Sequence, residues 1–198
     1  MNDFPFFSEN PLGLSVSYTL VKLNVAINHY SYIGGSLASK KMKIQKVHRT
    51  EAKKITELTM RSKNHWNYGV AQIAEWRDEL TLTPEYIDKE QVYKLEVSGR
   101  LVGFYAFHPE NSEVIALNFL FVEPEYIGKG YGKILITDFL KRIEKLDYRK
   151  VTLDADPNTE NFYKAIGFNV VGRRKSAIKD RFLPIMEMDL SKLASNKE

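Results

Sequence analysis

A mostly apolar run from Ile115 to Val122 reads as a buried strand, and Pro124, which cannot donate to a ladder, ends it. Beyond Gly128, Gly130 and Gly132 the pattern changes period. Ile134, Leu135, Ile136, Phe139, Leu140 and Ile143 recur at roughly helical spacing. Upstream, residues 91–97 and 101–108 read as strands joined by a hairpin at Ser98-Gly99-Arg100, and a second hairpin around Pro109 to Ser112 leads into the central strand. Lys43 to Val47 gives a first strand. Thr50 then caps a helix carrying Ala52, Ile55, Leu58 and Thr59 on one side, and a further helix runs to about Leu80. Near the end, a strand from Lys150 to Asp154 precedes a short helix opened by Pro157 and Asn158 and stopped by Gly167. Asn169 to Arg173 and Ile185 to Leu190 read as closing strands. The order β-α-α-β-β-β-α-β-α-β-β implies an α/β fold, a mixed, twisted sheet with helices on both faces.

Residues 1–41 stand apart, rich in Ser, Asn, Tyr and Gly, and are expected to be a loosely attached extension of a 42–190 domain followed by a 191–198 tail. With Asp3 and Glu9 in place of a basic start, they make a poor signal peptide. The 198 residues suit one core. A net charge of +4 with no long basic run argues against a nucleic-acid partner, and no apolar run is long enough to argue for a membrane. Cysteine is absent, which removes disulfides, a thiolate nucleophile and Cys-based zinc, and fits a reducing cytoplasm. His29, His48, His65 and His108 are scattered without ligand spacing, so no metal is expected.

The candidate chemistry begins at the strand, glycine turn and helix of residues 115–143. Glycines let backbone N–H groups approach a phosphate, and a helix N-terminus favours negative charge. Gly132-Lys133 is followed by Ile134, so the hydroxyl of a nucleotide-hydrolase loop is missing. In a Gly-x-Gly-x-x-Gly dinucleotide loop the third glycine would fall on Lys133. The segment instead resembles the pyrophosphate loop of the GNAT superfamily of N-acetyltransferases, Gln/Arg-x-x-Gly-x-Gly/Ala. Gly130 and Gly132 match its glycines, and Ile127 replaces its opening Gln or Arg. A second match follows in order, because Asn158, Tyr163, Gly167 and Phe168 fit the family's Asn and Tyr-x-x-x-Gly-Phe elements.

The resemblance implies splayed central strands and acetyl-CoA as the carrier. It would be gripped by the backbone of Leu120, Phe121 and Val122, with its pyrophosphate on Gly128, Lys129, Gly130, Tyr131, Gly132 and Lys133 and a contact from Asn158. It implies Tyr163 as general acid, although a helix tyrosine also serves as packing. The glutamate that some relatives carry in the central strand falls here on Ala116. His65 is the candidate base, beside a water-relayed proton loss that needs none. Lys63, Trp66 and Tyr68, with Arg181 opposite, are the candidate walls of a pocket for a small-molecule or peptide amine; the same aromatics also suit core packing. A homodimer partner and a non-catalytic acyl-CoA-binding or sensor role remain open alternatives.

Overall fold

A computed structural model describes residues 41–176 and 181–191. The expected 1–41 extension, except Lys41, lies outside the described residues, as does the 191–198 tail except Ser191. Seven strands form one sheet: β1 (Met42–Lys46), β2 (Gln91–Val97), β3 (Arg100–Pro109), β4 (Val114–Val122), β5 (Lys150–Asp154), β6 (Asn169–Lys175) and β7 (Phe182–Asp189), in the order β1-β2-β3-β4-β5-β7-β6. Neighbours are antiparallel except β4 and β5, which are parallel. The mixed sheet with helices on both faces is therefore present.

Alternation along the strands divides the core between two faces. On one face, α5 (Tyr131–Ile143) buries Leu135, Ile136, Phe139 and Ile143 with Tyr105, Phe107 and Ile115. On the other, α1 (Ala52–Asn64) and α4 (Pro84–Lys89) bury Ile55, Leu58 and Ile87 with Val92, Phe104 and Ala106. Each of the Val, Leu, Ile and Phe side chains among them contributes roughly 1.5–3 kcal/mol of transfer free energy. The α5 face is packed closely: a Cβ built at Gly103 would lie 2.6 Å from the Phe121 carbonyl oxygen and 2.9 Å from Leu135 Cδ1.

The parallel pair opens the molecule. β4 and β5 are in register only at Val114↔Lys150, Ile115↔Val151 and Ala116↔Thr152. Just beyond, Leu117 opposes Phe107 while Phe119 opposes Ala106, so Asn118 is an extra residue in β4. Such a bulge bends its strand and sharpens the local twist. The second half of β4 departs from β5 at that point.

Local signals were misplaced in the helical segment. His48, not Thr50, caps the start: its Nδ1 accepts from Thr50 N at 3.4 Å, and Glu51 accepts from His48 N at 3.1 Å, around a 3₁₀ turn at Arg49–Glu51. The single helix expected up to Leu80 is two, α2 (Val70–Glu75) and α3 (Arg77–Leu80), broken at Trp76. The α4 helix was not expected, although Thr83 and Pro84 form an ordinary N-cap and first position. The first strand is Met42–Lys46, one residue earlier than expected, and the last begins at Phe182.

Candidate active site

At the end of β4 the chain makes a 3₁₀ turn, Pro124–Tyr126, and enters the glycine segment. Gly128 and Gly130 have φ of +78° and +85°, a left-handed backbone that side chains disfavour. The first helical bond of α5 runs from Ile134 N to Gly130 O at 3.2 Å. Among the described residues, the N–H groups of Gly128, Gly130, Tyr131, Gly132 and Lys133 have no backbone acceptor. Unpaired donors at a helix N-terminus are a ready site for a phosphate oxygen. Gly128, Gly130, Gly132 and Lys133 border a cleft of about 530 Å3. The donor set therefore fits a pyrophosphate. Lys129 is not among these donors, because its N–H is bonded to Tyr126 O at 3.2 Å and its ammonium lies 5.9 Å from the centre of the Tyr126 ring; the Tyr131 ring also packs edge-on to Tyr126, at 5.4 Å.

The cleft follows the opening between β4 and β5. Glu123 N donates to Val102 O at 2.8 Å, which sets the parity of the antiparallel ladder beyond the bulge. Phe119 and Phe121 accordingly turn their N–H and C=O to β3, whereas Leu120 and Val122 turn theirs to the open edge. This corrects the expectation for Phe121, whose side chain borders the cleft but whose backbone is committed to the sheet. Leu153, Ala155, Phe162 and Tyr163 form the other wall. Tyr163, on α6 (Glu160–Ile166), is 8% exposed, with its ring edge-on to Phe162 at 5.1 Å and to Phe168 at 5.6 Å. Burial, and then the charge of Asp156, push its pKa well up, so the hydroxyl keeps its proton at neutral pH.

A second cleft of about 910 Å3 opens beside the first, walled by Trp76, His108, Ala116, Arg181 and Leu183. Lys63, Leu117, Asn118, Phe121, Leu153 and Asp154 border both clefts, so the two meet where β4 and β5 part.

Asp156, which drew no role from the sequence, organises this junction. It accepts from Lys63 Nζ at 2.7 Å, from the Tyr68 hydroxyl at 2.8 Å and from Arg181 Nη2 at 3.1 Å. Asn158 donates to Tyr68 Oη at 2.9 Å and to Asp156 at 3.0 Å, and Arg181 also donates to Tyr68 Oη. Arg181 Cζ lies 4.4 Å and 5.7 Å from the centres of the Tyr68 and Trp76 rings, and Lys63 Nζ lies 5.3 Å and 5.2 Å from them. Burial pushes the Asp156 carboxyl up, but the charge and hydrogen bond of Lys63 and the Tyr68 hydroxyl outweigh it and hold it below the usual range. Burial, then the bond to Asp156, raises Tyr68.

The expected acceptor residues therefore divide. Lys63 and Arg181 border the larger cleft, and Trp66 borders the smaller one. Tyr68 borders neither and is a strut between the two cations, contrary to its expected place in the pocket. His65, the candidate base, is exposed at the end of α1, edge-on to Trp66 at 5.1 Å and outside both clefts. Trp76 lies within the segment expected to be one helix, and the break that turns it toward Lys63 has no local sequence signal. For Asp156 a signal did exist: an Asp before Pro-Asn caps a helical turn, and its side chain accepts from Asn158 N at 3.1 Å.

Residues 47–191 match the family model described as the acetyltransferase (GNAT) domain. The chain belongs to this family. An uncharacterized N-acetyltransferase, ycf52, from Gracilaria tenuistipitata var. liui is 27% identical over 90 residues, 46% of this chain and 50% of that one. GCN5-related N-acetyltransferase 2, chloroplastic, from Arabidopsis thaliana is 31% identical over 81 residues, 41% of this chain and 29% of that one. The chain thus spans about half or less of the length of these curated relatives. Among solved structures, a paiA N-acetyltransferase from Thermoplasma acidophilum in complex with coenzyme A superposes with a TM-score of 0.62 at 20% identity, covering 75% of this chain and 99% of that one. A GNAT family acetyltransferase from Elizabethkingia anophelis with acetyl-CoA bound gives 0.56 at 15% identity, covering 75% and 98%. These likenesses show the shared fold.

Proposed function

We propose that the chain is an acetyl-CoA-dependent N-acetyltransferase acting by direct transfer to a primary amine of a small molecule or peptide. The observation that carries this reading is the meeting of two clefts where β4 leaves β5, with a helix-N-terminal glycine cradle on one of them. Gly128 and residues Gly130 to Lys133 would hold the pyrophosphate through backbone N–H groups, and Leu120 and Val122 would grip the arm and the acetyl carbonyl through theirs. Bound there, acetyl-CoA supplies an acetyl thioester, whose carbon is joined to the amine nitrogen as its bond to sulfur breaks. Tyr163 delivers a proton to the departing sulfur from its hydroxyl, which its buried site keeps protonated. Lys63, Trp66 and Arg181 would help seat the acceptor, with Trp76 as a further wall.

The cytoplasm is the compartment a cysteine-free chain fits, while the Arabidopsis relative's name places that protein in the chloroplast. No helix among the described residues is long and apolar enough to cross a membrane. A non-catalytic acyl-CoA-binding role is the second reading, favoured by Ala116 at the strand position of the missing glutamate and by Ile127 at the loop opening.

Acetyl-CoA at 100 times its Kd stabilises a single-site binder by about 2.7 kcal/mol, which raises Tm. Gly130→Glu puts bulk and negative charge into the cradle and abolishes that rise; an unchanged rise refutes the assignment of the loop. Release of free thiol with a panel of amines separates the two readings, because a sensor raises its Tm with acetyl-CoA yet liberates no thiol.

A further inference from the structure

Transfer to an amine strips protons from the ammonium nitrogen, and neither the central-strand position at which some relatives carry a glutamate nor the candidate base His65 places a group to take them. Ala116 is a methyl, and His65 is exposed outside both clefts. The register places a different histidine at the first of these positions. His108 of β3 is directly opposite Ala116, on the same face, and Ala116 is in turn opposite Thr152 of β5. All three border the larger cleft. The His108 ring is half-buried, and its Nδ1 is sealed from solvent with no hydrogen-bond partner. A buried polar atom left unpaired is rare and calls for a ligand or water to complete it. The small side chain of Ala116 leaves the space beside that ring open to whatever enters the cleft.

We propose that His108 is the general base for the acceptor amine, supplied from the neighbouring strand in place of a central-strand carboxylate. This rests on the acetyl-transfer reading. Of the two protons that the ammonium nitrogen loses on becoming an amide, one passes to a ring nitrogen of His108, directly or through one water, and on to solvent. The other balances the proton that Tyr163 gives to sulfur. The remaining charged groups of the cleft are poorly suited to that role. Asp154 is paired with Arg174 at 2.7 Å, and Lys63 and Arg181 are held by Asp156. Glu79, Glu110 and Lys175 complete the charged lining, and among the described residues His108 is the one imidazole that borders this cleft. Glu187 of β7 continues the row beyond Thr152 but is paired with Lys150 at 3.2 Å.

The test uses the full chain and an amine that the thiol-release assay shows to be acetylated. In His108→Gln, kcat/KM at neutral pH falls by about 10²–10⁴, and it climbs with pH toward the wild-type value as solvent deprotonates the amine. The acetyl-CoA-induced rise in Tm is unchanged. Adding Ala116→Glu to His108→Gln puts a carboxylate on the facing strand and restores turnover, with the acid limb of the pH profile moved to lower pH. In wild-type protein, the His108 ring resonances shift on adding the acceptor, while those of His48, bonded to Thr50, do not. A His108→Gln variant with wild-type turnover and pH profile overturns the assignment while leaving acetyl transfer intact, as do His108 resonances blind to the acceptor. Absence of turnover with any amine, despite binding of acetyl-CoA, sinks the acetyl-transfer reading and this assignment with it.

Discussion

Asp156 receives donors from three separate parts of the chain, and its own side chain and those of Lys63 and Arg181 are only 10–16% exposed. Removing one partner of a buried ion pair strands the others, at about 3–5 kcal/mol. Asp156→Asn leaves two cations facing a neutral amide and is expected to lose about 3 kcal/mol in urea unfolding at pH 7. The same carboxyl sets a pH dependence. Its folded pKa is held below the ordinary aspartate range, so its stabilisation is complete above that range and disappears as pH falls through the folded value. Wild-type stability should therefore fall between about pH 4 and more acidic conditions, and Asp156→Asn should show a flatter profile there. Tyr163→Phe removes only a hydroxyl from the cleft wall. It should keep the fold and the acetyl-CoA-induced Tm rise and lower kcat by about 10²–10⁴ with an acceptor in hand. Near wild-type turnover would reduce Tyr163 to packing.

At the scale of elements, what the sequence revealed followed from short-range pattern. β2 and β5 lie where alternation and flanking turns put them, and Gly167 stops α6 with φ of +116°. Ser98 and Gly99, with φ of +50° and +79°, make the tight hairpin expected between β2 and β3. The glycine turn into α5 was readable for the same reason. What was hidden is long-range. Lys63 and Asp156 are 93 residues apart, and nothing local to either announces the other. The bulge at Asn118 is also silent in an apolar run, yet it turns half of β4 toward the open edge. His108 could be placed only once β3 had a register against β4. The close approach of β3, β4 and α5 gives a test at this scale. Gly103→Ala pushes a methyl to 2.6 Å from a backbone oxygen, which cannot move aside as a side-chain tip can. It should cost about 1–3 kcal/mol in urea or thermal unfolding, the usual range for overpacking. A neutral result would mean that the sheet gives way easily at Gly103.

Over the whole molecule, the two faces of the sheet have separate duties. The α5 face carries the larger apolar core and the glycine cradle, while α1 and its continuation carry Lys63 and Trp66 to the junction where β4 and β5 part. The strands that hold this arrangement all begin at or after Met42, and the family match begins at Val47. Among the described residues β1 is an edge strand paired along its full length with β2, from Met42↔Val97 to Lys46↔Tyr93, and Lys41 O extends that pairing by one residue by accepting from Ser98 N at 2.9 Å. We expect removal of residues 1–40 to leave a soluble protein. Its Tm should stay within a few degrees of the full chain, because a loss of 1 kcal/mol shifts Tm by about 2–4 °C in a domain of this size. The rise induced by acetyl-CoA should be the same, since the cradle and the splay lie far along the chain from the deletion. Differential scanning fluorimetry with and without acetyl-CoA reads both quantities in one experiment. Aggregation, or a fall in Tm of ten degrees or more, would make the first 40 residues part of the folded unit and move its boundary upstream of Lys41.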